Sequence, residues 1–123
     1  MPEKAFFLMR VNDHIQYLKK IEKTLSGEGN FIGTNHRDCQ LGRWIYNQGK
    51  EEVAAMKNQR ATQLFDELFE PHEQFHTISH QALQKKQQGD EAGSHKAVTE
   101  MHKLSQIITQ KLLELDVLPA KIK

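Results

Sequence analysis

The sequence predicts an all-α domain, an antiparallel four-helix bundle with one short or broken helix. Three observations carry this expectation. Gln, Lys, Glu, Leu and Ala, all good helix formers, dominate the chain. No stretch keeps a sustained alternation of apolar and polar residues bounded by turns, so strands are not expected. Three Pro and seven Gly punctuate the 123 residues only sparsely, which suits a few long segments.

The first helix is expected from about Glu3 to Leu25. Phe7, Val11, His14, Leu18, Ile21 and Leu25 recur at alternating steps of four and three, a seam that faces a core. His14 stands in that seam where an apolar residue would be expected. Ser26-Gly27-Glu28-Gly29-Asn30 ends the helix, and a loop follows from Phe31 to Arg37. Asp38 is expected to cap a short helix that begins at Cys39, carries Leu41, Trp44 and Ile45, and reaches about Asn47. Gln48-Gly49 is expected to break it.

Lys50 to about Phe69 reads as helix again, interrupted near Asn58, with Val53, Met56, Leu64, Phe65, Leu68 and Phe69 as its apolar residues. Pro71 suits the first turn of the next helix, where its missing N–H costs nothing. That helix is expected to run to about Gln88 and to end at Gly89-Asp90. The last runs from about Glu91 to Asp116, with Val98, Met101, Ser105, Ile108, Leu112 and Leu115 again spaced by three and four. Residues 1–118 thus form a single domain, and 119–123, from Pro119 on, form a tail.

Composition narrows the function. Seventeen basic and sixteen acidic residues leave a net charge of +1 with His neutral, which argues against bulk electrostatic binding to nucleic acid or an acidic membrane. No apolar run approaches the roughly 18 residues of a transmembrane span. The N-terminus lacks the basic and apolar regions of a secretory signal. A cytoplasmic location is the expectation. One Cys excludes an internal disulfide, and seven His are the compositional oddity.

His72, His76 and His80 follow one another at steps of four. Two His four apart on a helix can grip one ion, because they share a face. His72 and His80 are two turns apart, roughly 11 Å along the axis, too far to share a site. At about 100° per residue, His72 lies about 40° from the direction of Leu68, His76 about 80° and His80 about 120°. His72 and His76 therefore point inward and His80 sits at the edge. His95 and His102 lie off the apolar stripe of the last helix and face solvent.

Cys39, at a helix start, is placed where unpaired N–H groups favour thiolate, the metal-binding form; the plain alternative is a small buried hydrophobe. His14 taken alone reads as a hydrogen-bonded core histidine rather than a ligand, and Trp44 as a core anchor. His36 and Cys39 form a further candidate ligand pair, in a loop without fixed geometry. As a set, His14, Cys39, His72 and His76 supply three nitrogens and one sulfur, which suits tetrahedral Zn2+. Four protein ligands leave no open position, so such a site is structural or regulatory, not hydrolytic.

Cys39-Gln40-Leu41-Gly42-Arg43-Trp44 resembles the Cys-x-Leu-Gly-basic-Trp core of the chemoreceptor zinc-binding domain family. The similarity continues through Asn47-Gln48-Gly49 and Glu70-Pro71-His72-x-x-x-His76, with His14 as the upstream helical histidine, and covers about residues 8–85. The stretch between Gly49 and Pro71 is several residues longer than is common in the family. The resemblance implies a four-helix bundle without catalytic activity that binds zinc through His14, Cys39, His72 and His76. It also implies a regulatory role toward a bacterial cytoplasmic chemoreceptor or diguanylate cyclase, in response to zinc or to oxidation of the zinc-bound Cys. Some members are homodimers.

Two other readings compete. A hemerythrin-like di-iron bundle is also His-rich, but it needs carboxylates at fixed offsets from its His. His102 has Gln106 and Ile107 there, and His36 has Gln40 and Leu41. A metal-free interaction bundle with incidental His is the third.

Overall fold

The computed structural model describes the backbone of residues 5–118 and the side chains of residues 7–118; the expected tail at 119–123 lies outside them. Six helices follow in order: α1 (Ala5–Leu25), α2 (Gln40–Ile45), α3 (Gln48–Ala55), α4 (Gln59–Asp66), α5 (Phe69–Gln87) and α6 (Glu91–Val117). There is no strand among the described residues. The fold is all-α, as the periodicity predicts.

The long helices α1, α5 and α6 make three sides of the bundle, and the segmented run α2–α4 makes the fourth. Cross-helix contacts give the directions. Glu22 on α1 meets His102 on α6 at 2.9 Å, while His14, two turns earlier, meets Ser105. Arg60 on α4 meets Glu114, whereas Glu67 just after α4 meets Lys111. Both pairs of contacts run in opposite senses along α6, so α1 and α4 are antiparallel to it.

The interior is built from the expected seams. Ile21, Leu41, Leu64, Leu68, Phe75, Met101, Ile108, Leu112 and Leu115 are fully buried. Trp44 is a core anchor: its ring lies edge-on to Phe7 at 5.9 Å and to Phe65 at 5.7 Å, and its Nε1–H donates to Glu52. Burying one such aromatic removes about 150–250 Å² from water, so this trio holds α1, α2 and α4 together.

Three boundaries differ from the sequence reading. The cap of α2 is Cys39, not Asp38: its sulfur accepts from the Gly42 N–H at 3.2 Å, while Asp38 is exposed and accepts from Asn35 Nδ2. A thiol can fill a cap when burial keeps water from competing for the N–H. The break after α2 falls at Tyr46-Asn47, and Gln48-Gly49 opens α3 instead. Gly49 serves close packing there, since a Cβ would lie 2.8 Å from the Trp44 carbonyl oxygen and 2.9 Å from Phe65 Cε1. The run from Lys50 to Phe69 is interrupted at Asn58, whose side chain caps α4 by accepting from the Ala61 N–H, after Lys57 turns the chain with φ 52°. Phe69 already belongs to α5, which places Pro71 within its first turn.

Candidate metal centre

α2 and α5 bring the buried donors together. Cys39 at the head of α2 faces His72 on α5, with 3.3 Å between Sγ and Nε2. His76 joins them one turn on, and one donor atom from each of the three lies within 4.8 Å of the others. Tetrahedral zinc would set a sulfur and an imidazole nitrogen about 3.6 Å apart, given its bond lengths. The Cys39–His72 pair is already near that spacing.

The direction argument from the helical period holds. His72 is 0% exposed and His76 3%, whereas His80 is exposed. His95 and His102 are exposed as expected.

His14 is buried on α1, edge-on to Phe75 at 4.7 Å, and its Nε2 sits 2.9 Å from Ser105 Oγ on α6. It borders the centre but is not one of the three clustered donors. The hydrogen-bonded core histidine that the seam position alone suggested is therefore present in this arrangement.

Burial sets the protonation of all three imidazoles. Lost hydration pushes His14 down to about 4, with the neighbouring His76 adding to the effect. It pushes His72 to about 3 and His76 to about 4. At neutral pH all three are uncharged, which is the form that binds metal. The Cys39 thiol is raised by burial, an effect opposed by the N–H groups of Gly42 and Leu41. A cation is what would turn it to thiolate.

Residues that carried no signal in the sequence orient the donors. His76 Nδ1 lies 3.0 Å from the Thr34 carbonyl oxygen. A carbonyl only accepts, so Nδ1 holds the proton and the neutral ring keeps Nε2 as its lone-pair donor. His80 Nε2–H donates to the same oxygen at 2.9 Å, and the Thr34 N–H donates to Tyr17 Oη at 2.9 Å. Tyr17 also packs on the His76 ring at 4.7 Å. Ligand histidines are typically held through their second nitrogen in this way.

The residues fit a soft or borderline divalent metal. The donors are one sulfur and two nitrogens on three buried residues, and His72 Nδ1 is buried with no hydrogen-bond partner. A thiol is a weak partner for the other nitrogen. An ion at Nε2, the nitrogen that faces Cys39, would replace that weak contact with a bond and leave Nδ1 as the protonated nitrogen.

A buried Cys/His cluster set between a segmented helix and a long one makes this a helical module capable of metal coordination. The chain belongs to the chemoreceptor zinc-binding domain family, whose sequence model matches residues 14–83. No curated protein and no solved structure matches the chain. The matched span opens on His14 and covers Cys39, His72 and His76. The family comprises non-catalytic sensory modules associated with chemoreceptor and diguanylate cyclase signalling. No helix among the described residues is long and apolar enough to cross a membrane.

Proposed function

We propose that this chain is a zinc-binding sensory module in which His14, Cys39, His72 and His76 hold one Zn2+. The observation that carries the reading is the buried set of Cys39, His72 and His76 within 4.8 Å of one another. His14 is the fourth donor: it is buried, neutral at pH 7 and close enough to His72 and His76 for their charges to be felt. It has to leave or share Ser105 to reach the ion. Bound zinc would supply a +2 charge that holds Cys39 as thiolate and ties α1, α2 and α5 to one point.

The four ligands leave no position for a substrate, which suits regulation. Cys39 is the one soft ligand, so its oxidation weakens one bond of four and loosens α2 without melting the bundle. The output is a chemoreceptor or diguanylate cyclase in the bacterial cytoplasm, reached directly or through a homodimer.

The di-iron reading lacks support because, among the described residues, no carboxylate joins the clustered donors. Elemental analysis of the purified protein with its absorbance spectrum separates the readings. One zinc per chain without colour is the expected result. Two irons with a visible band, or no metal after zinc addition, would overturn it.

A further inference from the structure

The four-ligand set leaves two nearby histidines unused: His80, which bonds the Thr34 carbonyl, and His36. His36 lies in the loop between α1 and α2, and its backbone is held tightly there: a Cβ on Gly42 would overlap the His36 carbonyl oxygen. Its ring centroid is 6.3 Å from that of His72 and 6.5 Å from that of His76. Its Nε2 faces the Glu73 carboxylate at 4.0 Å. The side chains of His36 and Glu73 are 24% and 61% exposed, whereas His72 is fully buried and Cys39 and His76 nearly so. His36 therefore spans from solvent to the donors behind it.

We propose that His36 and Glu73 form an entry site for the divalent metal ion, which is captured there and passed inward to His72 and His76. The proposal rests on the zinc-binding reading above. Tetrahedral zinc is complete with four donors, so His36 has no place in the final set. A hydrated ion moving to buried donors must exchange water for protein donors one at a time. An imidazole beside a carboxylate offers the first exchange, since the carboxylate draws the cation in and the ring replaces one water. The carboxylate turned to solvent is the part that raises local cation concentration.

A group used only along the path has a kinetic consequence that a final ligand does not share. It speeds entry and exit equally and leaves the dissociation constant unchanged. The test is stopped-flow Zn2+ uptake by metal-free protein, release into excess chromophoric chelator, and equilibrium competition with the same chelator. H36A and E73Q are compared with the wild type. H36A should slow uptake and release together, by about tenfold, the low end of what local steering gives, with an unchanged dissociation constant. E73Q should slow uptake less and lose its deficit at high salt.

Wild-type rates in both variants would overturn the proposal. So would faster release and weaker binding in H36A, which would place His36 among the final ligands. E73Q alters an exposed helical position and keeps the test decisive if H36A folds poorly. A wild-type protein that takes up no Zn2+ would defeat the zinc-binding reading itself, an outcome distinct from unchanged rates.

Discussion

His14 and Ser105, 91 positions apart in sequence, meet in the core at 2.9 Å between Nε2 and Oγ. The bond joins the donor-bearing face of α1 to α6, the longest helix. Both side chains are buried, so losing the bond leaves a buried imidazole nitrogen without this partner.

Ser105→Ala should therefore cost the metal-free protein about 1–3 kcal/mol, the usual penalty of an orphaned buried polar group. Urea unfolding in the presence of chelator measures it. An unchanged midpoint would mean that the bond contributes nothing to the fold.

Gly42→Ala should be more damaging than its one carbon suggests. The added Cβ overlaps the His36 carbonyl, and the neighbours it meets are backbone atoms that cannot rotate away. Overpacking of this kind costs about 1–3 kcal/mol. It should also displace the Cys39 cap and weaken metal binding. A variant with wild-type stability and affinity would show that the loop yields freely.

Acid should destabilise the metal-free bundle over a defined window. His14 and His76 titrate at about 4 and His72 at about 3 in the folded chain, against an ordinary value of 6.5. Between those values the unfolded chain binds protons that the native chain refuses, so stability rises with pH. The contribution is fully present above about 6.5 and is lost progressively as pH falls toward 4 and then 3. Urea midpoints of chelated protein at successive pH values should decline through that range. A flat profile between pH 6.5 and 4.5 would contradict the neutral, buried histidines.

Oxidation of Cys39 should be read out by Trp44. The sulfur caps α2 through the Gly42 N–H at 3.2 Å, and Trp44 lies on that same short helix against Phe7 and Phe65. A mild oxidant that adds oxygen to the sulfur should release or loosen zinc and change the fluorescence of this single tryptophan. Full zinc occupancy and an unchanged spectrum, with Cys39 shown by mass spectrometry to be modified, would sink the switch.

Legibility in the sequence followed the physics of each part. The seams of α1 and α6, and the inward turn of His72 and His76 against His80, come from the helical period alone and appear as expected. The α2 cap was misplaced because Asp is the better cap in water, and only burial makes the Cys39 sulfur the acceptor. Gly49 was misread as a break because its close approach to Trp44 and Phe65 is tertiary. The Thr34 oxygen that orients His76 is a loop carbonyl, which every residue carries, so no sequence signal marks it. Ser105 was read only as a member of the α6 seam, and its partner could be known only from the pairing of α1 with α6.

The most direct test of the central claim is zinc-edge X-ray absorption on the zinc-loaded protein. His14, Cys39, His72 and His76 together predict a four-coordinate shell of one sulfur at about 2.3 Å and three nitrogens at about 2.0 Å. The Cys39→Ser variant should then lose the sulfur scatterer and bind zinc more weakly, and His14→Ala should lose one nitrogen. A wild-type shell of oxygen and nitrogen alone, or one that His14→Ala leaves untouched, would contradict the four-ligand site.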